Sequence, residues 1–260
     1  MEYFQDVEAA SKDMEPRDMT KLSVNLNKIA LLRNARALDI PNVVRAAEVC
    51  IAAGCHGITV HPRPDERHIR RQDVFDLAKM VSVEYNIEGN PFPGFMALVR
   101  EVRPTQCTLV PDSLDQNTSD HGWDLAKDGA RVAPLVRELK ELGIRVSLFL
   151  DPVEDDVRRA KDIGADRVEW YTEPYASAFA RGDYETELAR YIRAAELARS
   201  IGLDMNAGHD LNLDNLGVFC ARVPGILEVS IGHALVADAV FMGLGNAVKA
   251  YLDALRNTRS

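Results

Sequence analysis

This 260-residue chain has no glycine-rich phosphate loop, no paired cysteines and no long apolar run. Each absence removes a class of protein. Its four cysteines, Cys50, Cys55, Cys107 and Cys220, form no C-x-x-C pair and lie within apolar runs. They read as reduced thiols of a cytoplasmic protein rather than a disulfide framework or zinc ribbon. No apolar run approaches the roughly 20 residues that cross a bilayer, so no membrane span is expected. Lys and Arg number 31 against 40 Asp and Glu, a formal net charge of −9. Such a chain offers no broad cationic face, which argues against nucleic acid or an anionic membrane as its partner. An H-E-x-x-H pair is lacking, and the first strand carries Asn25-Leu26-Asn27 where a metal-dependent barrel would want His-x-His. A catalytic metal is therefore not expected.

What the chain does contain is a repeated unit. Eight times, a short apolar run precedes a stretch with helical spacing, which argues for parallel strands joined by right-handed crossovers. The strands are expected at 21–26, 57–60, 85–88, 106–110, 145–150, 167–170, 203–206 and 227–231. The helices are expected at 42–53, 73–83, from the turn at Pro91 and Pro93 to 102, at 131–142, 153–163, 184–200 and 213–222, and across 234–256. A polar loop is expected after the first strand and a loop after the sixth, and Asp73 is the expected cap of its helix. Gly54, Gly143, Gly164 and Gly202 stand where helices stop before strands. A doubly wound sheet would place glycines after its first strand, but the chain reads Val24-Asn25-Leu26-Asn27-Lys28. The expected fold is therefore a closed α/β barrel, a (β/α)8 TIM barrel with extra helices, over residues 20–260. Residues 1–19 are expected to be an N-terminal extension outside it, acidic and unlike a signal peptide, with Met19 an alternative start.

In such a barrel the chemistry sits at the carboxyl ends of the strands. Those ends carry Asn25, His61 with Arg63, Glu88, Pro111, Asp151, Glu169, Asn206 with His209, and Gly232-His233. Of six histidines only His56, ahead of its strand, and His121, in the fourth loop, lie off this rim. A single rim histidine is commonly structural; His61, His209 and His233 together suggest proton transfer near neutral pH. Glu169 interrupts an apolar strand, so it must be paired or protonated. Asn206-Ala207-Gly208-His209 and Ser230-Ile231-Gly232-His233-Ala234 form two small-residue loops after strands seven and eight, the usual phosphate site of these barrels. Arg33 and Arg36 are candidates to close over an anionic substrate, and residues 112–130 form a long connection of the kind used as a lid.

Taken together, these stretches resemble the pyridoxine 5′-phosphate synthase family. The matching segments are Val24-Asn25-Leu26, Arg33-Asn34-Ala35-Arg36, Gly57-Ile58-Thr59-Val60-His61 with Arg63 and His68, and Asn86-Ile87-Glu88. Leu109-Val110-Pro111, Val146-Ser147-Leu148-Phe149, Asn206-Ala207-Gly208-His209 and Ile231-Gly232-His233-Ala234 continue the match across nearly the whole chain. The resemblance implies condensation of 3-amino-2-oxopropyl phosphate with 1-deoxy-D-xylulose 5-phosphate, by a cytoplasmic homo-octamer without metal or organic cofactor. It implies His61 and Glu88 as proton acceptors, His209 as proton donor and Glu169 as a transition-state stabiliser. Asn25, Arg36, Gly232 and His233 would hold the amino-ketone phosphate; Arg63, His68 and Thr118 would hold the sugar phosphate.

Three departures from the family pattern stand out. Asn27-Lys28 replaces an Asp-His pair at the sugar phosphate, Asp210 replaces a phosphate-binding glycine, and Pro64 follows Arg63 where an acid is common. Lys28 can still supply positive charge, and Asp210 would contribute only its backbone N–H. Two other readings remain open at this stage. One is a phosphosugar lyase or epimerase using Lys28 as a Schiff-base nucleophile, which borohydride would trap. The other is a non-catalytic barrel that binds phosphoesters.

Overall fold

The computed structural model describes residues 19–113 and 119–257. Thr118 and the expected extension up to residue 18 lie outside the described residues. Eight parallel strands close into one barrel in sequence order. They are β1 Lys21–Asn25, β2 Gly57–Val60, β3 Glu84–Gly89, β4 Gln106–Leu109, β5 Arg145–Leu150, β6 Arg167–Trp170, β7 Asp204–Ala207 and β8 Ile226–Ile231. β8 pairs with β1 to complete the ring, Leu22 lying against Val229 and Val24 against Ile231.

Eleven described helices surround it: α1 Asn27–Asn34, α2 Val43–Ala52, α3 Arg71–Met80, α4 Pro93–Val102, α5 Leu125–Glu141, α6 Glu154–Asp162, α7 Glu173–Arg181, α8 Glu185–Ser200, α9 Leu216–Arg222, α10 His233–Met242 and α11 Leu244–Arg256. Gly54, Gly143, Gly164 and Gly202 all take positive φ at the turns back into strands.

Two expected loops are helices instead. Asn27–Asn34 follows β1 as α1, and Glu173–Arg181 follows β6 as α7. The first has weak amphipathic spacing because its inner face is short; only Ile29, Ala30 and Arg33 are buried. Nor does Asp73 cap α3. It lies inside the first turn, where its Oδ2 accepts the Arg70 N–H at 2.7 Å. α5 also starts earlier than expected, because Asp124 accepts the Lys127 N–H and opens the helix there.

The strands are not uniformly apolar. Leu22, Val24, Ile58, Val60, Ile87, Val168 and Val229 pack into the layer shared with the helices. Alternate residues, among them Ser23, Thr59, Asn86, Thr108, Ser147, Asn206 and Glu228, are buried and polar. They face the barrel axis. Thr108 on β4 meets Glu169 on β6, two strands away, and Ser23 on β1 meets Thr59 on β2 at 2.7 Å. The apolar core therefore lies between sheet and helices, and the interior is a polar floor. At its base Arg145 pairs with Glu84, and Arg167 Nη1 lies 3.7 Å from Glu84 Oε1. Buried charges of this kind require such partners.

Candidate active site

A cavity of about 270 Å³ opens at the carboxyl-terminal mouth of the barrel. Of the fourteen site residues expected from sequence, Asn25, Asn27, Lys28, His61, Arg63, His68, Glu88, Glu169, His209, Asp210, Gly232 and His233 all line it. Arg36 does not; it is exposed beyond α1, away from the lining. Arg33 is not a closing residue either. The residue is 1% exposed, and its guanidinium grips Asp73 at 2.5 and 2.8 Å and the His68 carbonyl at 3.0 Å. Asn34 Nδ2 donates to the same carbonyl at 2.8 Å. Together they fix the loop that carries Arg63 and His68.

His61 stands at the end of β2, its ring between two carboxyls. Nδ1 lies 3.9 Å from Glu88 Oε2 and Nε2 lies 3.7 Å from Asp112 Oδ2. Its backbone N–H donates to Asn27 Oδ1 at 2.9 Å, so Asn27 holds the peptide of His61. Burial, then the charges of Arg63, His68 and His209, hold the His61 imidazole well below its usual range. A neutral imidazole is a proton acceptor. His68 is also pushed down, to about 4, by burial and by Arg63 and Lys28. Its Nδ1 accepts the Ile69 N–H at 2.9 Å, which leaves Nε2 as the nitrogen carrying the proton.

The acids differ from one another. Burial pushes Glu88 upward, reinforced by Glu169, Asp112 and Glu228. Glu169 is raised to about 8 by burial and by Glu228, so it is a carboxylic acid at neutral pH. The expectation that Glu169 must be paired or protonated is met by protonation, with Thr108 Oγ1 at 3.4 Å. Asn86 and Thr108 together link the two acids: Asn86 Nδ2 reaches Glu88 Oε1 at 3.4 Å, its Oδ1 accepts from Thr108 at 3.1 Å, and Thr108 Oγ1 lies 3.4 Å from Glu169 Oε2.

Raising the pH should expose this arrangement as a stability effect. Glu169 binds its proton more tightly in the folded state than at its ordinary value of 4.5. Folding stability should thus fall as pH rises from about 4.5 through 8, because ionisation is easier in the unfolded chain. Glu169→Gln should lessen that fall and melt higher than the wild type at pH 8, as read by thermal denaturation. An unchanged slope would mean that Glu169 is not the proton-holding acid.

Across the mouth, His209 is walled by Tyr171 and Phe149, with ring centroids 5.2 and 6.2 Å away. Gly208, the first residue after β7, must be glycine. A Cβ there would lie 2.1 Å from the Ser230 carbonyl oxygen. That close approach brings the β7 loop against the end of β8, just ahead of α10. Gly232 precedes α10, no side chain caps that helix end, and Gly232, His233 and Ala234 line the cavity at the positive end of the helix dipole.

Sequence reasoning missed Asp112, one residue past the expected strand-end marker Pro111. Its Oδ2 accepts from Arg63 at 2.6 Å and from Ser119 at 2.9 Å. It also missed Glu228, hidden inside an apolar-looking strand; the charge partners Arg145 and Arg167 lie on two other strands. Asn206, expected at the rim, lies in the barrel floor and accepts from Arg167 at 3.2 Å. Asp151 accepts the Gly122 N–H at 2.9 Å and thereby ties down the fourth loop.

Fold and cavity together define a (β/α)8-barrel enzyme whose acids and imidazoles meet at the carboxyl-terminal mouth. Residues 22–257 match the family model described as pyridoxal phosphate biosynthesis protein PdxJ. Pyridoxine 5′-phosphate synthase of Xanthomonas axonopodis pv. citri is 55% identical over 248 residues, covering 92% of this chain and 97% of that protein. The same-named protein of Porphyromonas gingivalis is 52% identical over 237 residues, covering 91% and 99%. This chain belongs to the PdxJ family. Among solved structures, 3-keto-L-gulonate-6-phosphate decarboxylase of Vibrio cholerae superposes with a TM-score of 0.63 at 11% identity, covering 93% of this chain and all of that one. At that identity the likeness speaks for the barrel alone.

Proposed function

We propose that this chain is a pyridoxine 5′-phosphate synthase, condensing 3-amino-2-oxopropyl phosphate with 1-deoxy-D-xylulose 5-phosphate and releasing phosphate and water. The observation that carries this is the convergence of His61, Glu88, Glu169 and His209 on one cavity beside the uncapped start of α10. Joining an amine to a ketone and closing a ring with loss of water and phosphate needs several proton transfers in both directions. Neutral His61 suits an acceptor step, and Glu88, with Oε2 3.9 Å from His61 Nδ1, is placed to take a proton in its ionised form. Protonated Glu169 on the floor suits hydrogen-bond donation to charge developing above it. His209, across the mouth, is the donor to leaving oxygen.

The two phosphates have separate supports. The α10 N-terminus with Gly232 and His233 suits the amino-ketone phosphate, and Arg63 with His68 suits the sugar phosphate. Holding both together lowers the entropic barrier to their union. No cofactor or metal enters the reading. Mixing purified protein with both phosphates should release phosphate together with a pyridine absorbance. Binding of both without product would reduce the chain to a phosphoester-binding barrel. A borohydride-trapped adduct lost in Lys28→Met would favour the lyase reading.

We further propose a cytoplasmic homo-octamer. Leu31 and Leu32 on α1, Leu38 and Ile40 beyond it, and Val240, Phe241 and Met242 at the end of α10 are exposed on helices that touch each other. Phe241 is 90% exposed, a costly placement for a lone subunit. Phe241→Glu should yield a smaller species in sedimentation velocity; an unchanged mass would remove this face from the assembly.

A further inference from the structure

The departure at Asp210 has a definite geometry. Asp210 takes a φ of +64°, the left-handed conformation that a glycine enters freely and that Asp tolerates better than most residues. From there its Oδ2 meets His209 Nδ1 at 2.7 Å. Its carbonyl accepts from Asn215 Nδ2 at 3.3 Å, and the His209 carbonyl accepts from the Thr172 hydroxyl. Both peptides are therefore anchored, and Tyr171 and Phe149 confine the ring between them.

Resting on the synthase reading, we propose that Asp210 is a positioning residue: it holds His209 through Nδ1, so that the proton given to substrate leaves from Nε2. The carboxylate that replaces a phosphate-binding glycine is thus directed at an imidazole and not at a phosphate.

The ionisation fits. The hydrogen bond from His209, outweighing burial, keeps the Asp210 carboxyl below its usual range, and His233 and Lys28 add to the effect. Lys28 is the other departure from the family pattern. It lines the same cavity from α1, so the added negative charge stands opposite an added positive one. Around the pair, Lys28 from α1 and His233 from α10 act on Asp210, His61 and Asp112 feel the charge of His209, and the Tyr171 ring packs against the imidazole.

The proton balance is simple. As the donor, His209 gives Nε2–H to the departing oxygen as that oxygen's bond to carbon breaks. The Nδ1 proton stays on the ring, hydrogen-bonded to Asp210. Solvent then returns one proton to Nε2.

Two variants separate this role from others. Asp210→Gly relieves the backbone and Asp210→Asn keeps the shape without the charge. Both should fold, with Asp210→Gly melting no lower than the wild type. Each should lose roughly tenfold or more in kcat, the scale of losing an orienting partner, with KM for both phosphates unchanged or lower. The alkaline limb of the kcat profile should move to lower pH in both. In the resting protein, 15N shifts should place a proton on His209 Nδ1 in the wild type, and that signature should be lost in Asp210→Gly.

Wild-type kcat and pH profile in Asp210→Gly would overturn the proposal. So would a raised KM at constant kcat, which would make Asp210 a substrate contact. An inactive wild type that still shows the Nδ1 signature would defeat the synthase reading and leave the His209 pairing standing. Absence of that signature in the wild type would defeat the pairing itself.

Discussion

Glu88→Gln is expected to lower kcat by about a thousandfold while both KM values stay near those of the wild type. Gln keeps the size of Glu88 and one acceptor for the Asn25 and Asn86 amides that hold it at 3.4 Å. What it loses is the capacity to take a proton. A positioned acceptor is worth roughly two to four orders of magnitude in rate. Substrate binding should survive, because phosphate support lies with Arg63, His68 and the α10 end rather than with Glu88. Stability should not fall either, since an amide needs no desolvation of charge in a floor already holding Glu169 and Glu228. Steady-state kinetics with calorimetric binding checks this. A kcat within a few-fold of wild type would remove Glu88 from the acceptor role.

The second large effect is structural. Arg33→Ala should cost about 3–5 kcal/mol, because it leaves Asp73 with neither of its two guanidinium contacts and unpins the His68 carbonyl. For a chain of this size that corresponds to a melting point lower by about 10 °C. The loop from His61 to Arg70 would loosen, so KM for the sugar phosphate should rise as well. Replacing both partners, as in Arg33→Met with Asp73→Leu, should recover much of the stability, since the isolated buried charge is then gone. Denaturant unfolding of the three variants separates the cases. Equal loss in single and double variants would mean that the pair does not act as a unit.

Arg33 also shows where reading the chain alone falls short. Its neighbours Leu32 and Asn34 gave no hint that a guanidinium would turn inward, because its acid lies forty positions away in α3. The barrel itself was legible, since eight alternations and four helix-stopping glycines are local signals. So were the rim histidines, because strand ends can be located from the apolar runs that precede them. Glu228 was hidden for the opposite reason: one acid in an apolar run tells nothing until its cations on β5 and β6 are brought beside it. Helices α1 and α7 were read as loops because each packs only a narrow face, with three residues of α1 and two of α7 buried, too few to set a helical period. Asp112 could be joined to Arg63 and to Ser119 only once the fold set the three side by side.

The division of the strands into a polar inner face and an apolar outer face has a consequence for change over time. Cohesion and chemistry ride on opposite sides of the same ribbon, so a substitution at Thr59, Asn86 or Thr108 can retune proton affinities without thinning the oily mantle beneath the helices. Such a scaffold can drift in reactivity one floor tile at a time and still fold.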